Sequence, residues 1–116
     1  MQIAQERRGE TLVVRAGGSL DVQSAEEFRT AVDAWLADGP CRRLVLNLSR
    51  ITFLDSTGLG AVLGRLRRAR SHGCEMAVVP PSGLGRTLLD AAALARAVPV
   101  FRSERAALGE EAQADG

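Results

Sequence analysis

Lysine and tyrosine are absent from this 116-residue chain, and histidine occurs once, at His72. All fifteen cationic side chains are arginine, a composition that fits a GC-rich genome. Without lysine, the phosphate-cradling Gly-x-x-x-x-Gly-Lys loop is excluded. One histidine and two cysteines, Cys41 and Cys74, form no Cys-x-x-Cys pair and leave any metal site short of ligands. They also supply no nucleophile–base pair, so the chain reads as a non-enzyme. Rings are scarce: Trp35 and three phenylalanines, of which Phe28 shares an apolar helical stripe with Trp35. A stacking platform for single-stranded nucleic acid is therefore missing. The net charge of +1 gives no electrostatic reason to expect nucleic acid or an anionic membrane as partner. No apolar run approaches the ~20 residues that span a bilayer, and residues 1–8 carry no apolar signal-peptide core. A cytoplasmic location without membrane insertion is expected. A chain of this size folds without disulfides, so the cysteines are expected to be two reduced thiols.

Hydrophobic residues make up 46% and charged residues 25%, enough for one soluble domain with a core. That domain is expected over residues 1–110, with a polar, disordered tail at 111–116. Thr11-Leu12-Val13-Val14-Arg15-Ala16 reads as a strand ending at Gly17-Gly18, and Ile3 marks a possible earlier edge strand. Ser24-Ala25-Glu26-Glu27 has the form of a capping box. After it, Phe28, Ala31, Val32, Trp35 and Leu36 recur at helical spacing until Asp38-Gly39-Pro40. Leu44-Val45-Leu46-Asn47-Leu48 is a buried parallel strand by its uninterrupted apolar character. A second helix follows Asp55-Ser56-Thr57, with Leu59, Val62, Leu63 and Leu66 as its stripe. Arg65, Arg67, Arg68 and Arg70 lie off that stripe as a solvated face. Met76-Ala77-Val78-Val79 is the next strand. Ser82 then caps a third helix carrying Leu84, Leu88 and Leu89. Val98-Pro99-Val100-Phe101 is a short edge strand, and residues 102–108 form a last helix. Helices alternating with short buried strands imply an α/β domain with a mixed, mostly parallel sheet and helices packed against it.

The most unusual stretch is Leu54-Asp55-Ser56-Thr57-Gly58-Leu59-Gly60, which leaves a strand and opens a helix. Unpaired N–H groups and the helix dipole favour negative charge there. A phosphate on Ser56 would bring a charge of about −1.5 to −2 to that point. Gly58, Gly60 and Gly64 leave the helix start bare enough for close approach by a partner or by another part of the chain. The same residue types also make an ordinary N-cap, and the two roles can coexist.

This stretch, with Leu44-Val45-Leu46-Asn47-Leu48-Ser49 before it and the Gly18-Ser19-Leu20-Asp21 loop, resembles the STAS-domain anti-sigma-factor antagonists. The resemblance continues through Gly73-Cys74-Glu75-Met76-Ala77-Val78-Val79 and Leu88-Leu89-Asp90, over roughly residues 10–102. It implies a single STAS-like domain in which Ser56 matches the phospho-acceptor and Thr57 is the competing hydroxyl. It implies that Asp21 is the loop acid near the acceptor that contacts the partner and that Asp55 is the acid flanking the acceptor; with Ser56, Thr57 and the bare Gly58 and Gly60 they make up the expected partner-binding surface. The implied partner is a serine-kinase anti-sigma factor, captured by the unphosphorylated antagonist and released by the phosphorylated one. A PP2C-type phosphatase would reset the switch. ATP and Mg²⁺ would belong to the kinase, so no cofactor is expected here. Asp21 is accordingly expected to support binding more than folding.

Other readings rank lower. Gly58-x-Gly60-x-x-x-Gly64 is one residue too long for a dinucleotide fingerprint. His72, beside Gly73, reads as an exposed helix-end residue. The functional alternative is a STAS-like accessory subunit of a membrane transport system.

Overall fold

Gly9, at a φ of 61°, turns the chain between β1 (Gln2–Arg8) and β2 (Thr11–Leu20), which pair antiparallel. The computed structural model describes residues 1–81, 96 and 98–110. Helix α1 (Ala25–Ala37) leads to β3 (Arg43–Leu54), α2 (Ser56–Ser71) to β4 (Glu75–Val79), and α3 (Glu104–Ala107) follows later. The four strands form one sheet in the order β1-β2-β3-β4, with β2–β3 and β3–β4 parallel. The expected mixed, mostly parallel α/β sheet is therefore present. The weakly marked edge strand at Ile3 runs for seven residues, and β3 extends well past the run ending at Leu48.

Side-chain alternation divides the apolar residues between two faces. Leu12, Val14, Ala16 and Leu20 join Leu44, Leu46, Leu48, Ile51 and Leu54 in the main core with α1 and α2. Val13, Val45, Ala77 and Val79 form a smaller cluster on the other face with Ala107. There Arg15 grips Glu104 with two hydrogen bonds of 2.9 and 2.8 Å, and Asn47 donates to the same carboxylate at 2.9 Å. These partners, Arg15 first, hold the Glu104 carboxyl below its ordinary value against the opposing effect of burial.

Phe28, Val32 and Leu36 are buried at helical spacing on α1, while Trp35 is only half-buried at the core margin. The expected capping box does not form. The Ser24 hydroxyl instead donates to Ser19 O at 2.7 Å and accepts from Asp21 N–H at 3.0 Å. On α2 the buried face is Gly58, Ala61, Val62, Arg65, Leu66 and Ala69, with Leu59 and Leu63 at its edge. The helix is rotated from the expected stripe because Gly58 sits against the Leu20 carbonyl. That rotation buries Arg65, only 7% exposed, where it pairs with Asp33 of α1 and donates to Ala61 O at 3.2 Å. Arg65 is thus an interhelical tie and no part of a solvated face.

Val98 to Phe101 make no full strand. Val100 forms a single parallel bridge with Val78, and Pro99, lacking an N–H, cannot extend the ladder. The Ser82-capped helix with Leu84, Leu88 and Leu89, and the tail at 111–116, lie outside the described residues. The cysteines depart from expectation: Cys41 and Cys74 pair as a disulfide. They stand at the entries to the neighbouring strands β3 and β4, Cys41 two residues ahead of Arg43 and Cys74 one residue ahead of Glu75, its register partner. Among the described residues no helix is long and apolar enough to cross a membrane.

Candidate functional site

Two strand ends make the site. Register partners Leu20 and Leu54 finish β2 and β3 side by side, and both enter the core. The chain leaves β2 through the 21–24 loop into α1, and leaves β3 through Asp55 into α2. In parallel sheets, the carboxyl ends of strands are where loops are free to carry function.

Asp55 holds the two exits together. As N-cap of α2 it accepts from Gly58 N–H through Oδ1 at 2.8 Å. Its other oxygen accepts from Val22 N–H at 3.3 Å, across the gap to the β2 exit. Its own N–H donates to Leu20 O at 3.4 Å. The acid is therefore a structural clamp as well as a charge beside Ser56.

With Asp55 as the cap, Ser56 is the first helical residue and its hydroxyl is free of capping duty. Ser56 and Thr57 are both exposed. Their N–H groups have no carbonyl one turn earlier to bond, and the first turn of α2 holds no acidic residue. These N–H groups bring partial positive charge beside the two hydroxyls, opposed by the Asp55 carboxylate that caps the same helix end. Gly58 is buried, and a Cβ there would overlap the Leu20 carbonyl, so its bareness serves this chain's own packing. Gly60 has open space above it and Gly64 meets only the tip of Arg67 at 4.0 Å. Of the three glycines, Gly60 and Gly64 leave the helix surface accessible.

Asp21 is half-buried and committed locally. Its carboxylate accepts from Gln23 N–H at 3.0 Å and Ser24 N–H at 3.2 Å. It thus closes the lead-in to α1, a structural duty in addition to the partner contact expected of it. Its place in the site comes through the loop it shapes, which aims Val22 N–H at Asp55.

Two residues went unnoticed in the sequence. Val22, 70% exposed, sits on the Asp21 loop, and Phe53, 53% exposed, lies just before Leu54-Asp55. The available signal was positional: a valine inside a turn, and a phenylalanine at the strand position next to a core leucine.

A STAS-domain family model matches residues 2–107, nearly the whole chain. The chain belongs to the STAS-domain family. Its relatives include a protein of Paenibacillus polymyxa named anti-sigma F factor antagonist, 34% identical over 110 residues, with 95% of this chain and 94% of the relative covered. Among solved structures it resembles an anti-sigma factor antagonist from Mycobacterium paratuberculosis. That match has a TM-score of 0.82 at 26% identity, covering 93% of this chain and 91% of the other. It also resembles the Bacillus cell-fate determinant SpoIIAA in its phosphorylated form. The TM-score is 0.70 at 27% identity, with 93% and 97% covered. The STAS assignment made from the Asp55-Ser56-Thr57-Gly58-Leu59-Gly60 segment is thereby established, and the relatives carry the names of regulatory antagonists.

Proposed function

We propose that this STAS domain is an anti-sigma-factor antagonist controlled by phosphorylation of Ser56. In its unmodified state it binds a serine-kinase anti-sigma factor through the junction of the 21–24 loop and the start of α2. The observation that carries this reading is the division of labour between neighbours: Asp55 caps α2, leaving Ser56 exposed at the helix start with nothing structural to do. A hydroxyl in that position is accessible to a kinase and changes charge without unfolding the domain. The existence of a phosphorylated form of the similar SpoIIAA supports the reading.

The unmodified surface offers contact through exposed Val22, whose N–H donates to the Asp55 carboxylate, and close approach at Gly60. Asp55 contributes by holding the two loops in register. A phosphate on Ser56 adds a charge of about −1.5 to −2 and bulk at the centre of that surface. Loss of binding by 100-fold requires about 2.7 kcal/mol, which one misplaced dianion at a close contact can supply. Removal by a PP2C-type phosphatase restores capture. ATP and Mg²⁺ enter with the kinase, and the domain itself performs no catalysis.

Calorimetric titration of the cognate anti-sigma factor tests this. Unmodified protein and Ser56→Ala should bind alike, while Ser56→Asp binds more weakly. Equal binding by all three, or capture of a transporter permease in place of the kinase, would refute the reading.

A further inference from the structure

We propose that Cys41 and Cys74 form a reversible redox staple, closed by small disulfide oxidants and opened by thiol reductants, at the end of the sheet opposite the Ser56 loop. The proposal is independent of the phosphorylation reading.

The backbone, rather than the sulfur bond, brings the two residues together. Cys41 follows the turn after α1, and Cys74 follows the turn after α2. Glu75 N–H donates to Arg42 O at 2.9 Å, joining the residues that directly follow each cysteine. Cys74 N–H donates to Ala69 O at 2.8 Å, and Arg42 N–H donates to Glu10 O at 2.8 Å. The resulting Cα–Cα separation is 5.6 Å, within the span that a disulfide bridges without backbone movement. Opening the bond leaves the sheet ladder that positions both residues in place.

The surroundings suit exchange. Cys41 is half-buried and directly precedes Arg42 and Arg43, while Cys74 is 2% exposed. Arg70, Gly73 and Met76 border a shallow concavity that Cys74 shares. Cys41 is the more accessible sulfur, and its thiolate is the attacking form. The Cys41 thiolate attacks glutathione disulfide, forming a mixed disulfide and releasing one glutathione thiolate. The Cys74 thiolate then attacks the Cys41 sulfur, forming the protein bond and releasing the second glutathione thiolate. Two protein thiols are oxidised, one glutathione disulfide is reduced to two thiols, and the protein's protons pass to the departing thiolates through solvent. The closed loop holds β3 and α2, so its closure restricts a long stretch of the unfolded chain. Domain stability, and with it resistance to proteolysis, thereby follows the thiol redox state.

The test uses the full chain, reduced with dithiothreitol and then exposed to glutathione disulfide under native conditions. Expected are loss of both free thiols, an intact mass lower by two hydrogens, and a tryptic link between the Cys41 and Cys74 peptides. The melting temperature should rise by roughly 10 °C, fall back with fresh dithiothreitol, and stay constant in Cys41→Ser. Cys74→Ser gives the same comparison should Cys41→Ser fold poorly. Retained glutathione adducts, covalent dimers, thiols that stay free, equal melting temperatures in both states, or a bond that resists dithiothreitol in the folded protein would each overturn the proposal.

Discussion

Replacing Gly58 with alanine should destabilise the domain, whereas the same change at Gly60, two residues on, should stabilise it. A Cβ on Gly58 would lie 2.8 Å from the Leu20 carbonyl carbon, closer still to its oxygen, and 3.0 Å from Leu54 Cδ1. Comfortable carbon contacts need roughly 3.5–4 Å, so α2 must back away from β2 by about 1 Å. Neither obstacle yields cheaply. Leu20 is locked in the β2–β3 ladder, and Leu54 is a core residue. The displaced helix face carries Ala61, Val62 and Leu66 into the core, and loosening or overpacking such a face costs about 1–3 kcal/mol. Alanine regains up to about 1 kcal/mol in helix propensity, leaving a net loss of roughly 1 kcal/mol and a melting temperature lower by about 4 °C. At Gly60 no atom lies within 4 Å of the added Cβ, so propensity acts alone and adds about 0.5–1 kcal/mol. Urea unfolding followed by circular dichroism measures both. Shifts of the same sign, or a neutral Gly58→Ala, would refute the docking of α2 on the Leu20 carbonyl.

Ser56→Ala should change unfolding free energy by less than about 0.5 kcal/mol, since Asp55 supplies the cap, whereas Asp55→Ala should cost about 1–2 kcal/mol by urea melts. Asp33→Ala strands the buried Arg65 guanidinium and should cost roughly 3 kcal/mol, while Arg68→Ala, on an exposed side chain 4.0 Å from the same carboxylate, should cost little. Because Arg15 depresses the Glu104 carboxyl, its contribution to stability is present above the ordinary value of 4.5 and is lost as pH falls through the lower folded value. Glu104→Gln should flatten that acid limb in melting curves taken across pH. Asp21→Ala should cost about 1 kcal/mol through the lost turn hydrogen bonds, and a melting temperature equal to wild type would show those bonds to be dispensable.

The sheet was legible in the sequence because its strands are short apolar runs with few competing assignments. Leu44-Val45-Leu46-Asn47-Leu48 forms the first half of β3, and Met76-Ala77-Val78-Val79 is all of β4 but its first residue. The segment around Ser56 was legible as strand exit, cap and helix start because each step is local. What was missed depends on tertiary contact. The rotation of α2 is fixed by the Leu20 carbonyl, distant in sequence, so Leu59 and Leu63 looked more central than Gly58 and Ala61. Arg65 looked like its neighbours Arg67 and Arg68 until Asp33 of another helix came beside it. The capping box failed because Ser24 found partners in Ser19 and Asp21 before it could reach the helix. The cysteines meet only because β3 and β4 lie side by side in the sheet, which the spacing of Cys41 and Cys74 does not reveal.

The central claim is that Ser56 is the switch, and phosphopeptide mapping tests it most directly. The protein is incubated with its cognate anti-sigma factor and ATP, sampled over time, digested and sequenced by mass spectrometry, while complex is followed by size exclusion. The account predicts phosphate on Ser56, loss of the complex in step with it, and persistence of the complex with Ser56→Ala. Phosphate on Thr57 alone would move the acceptor by one residue and contradict the assignment to Ser56. A genuine kinase complex that leaves both hydroxyls unmodified would contradict the switch itself.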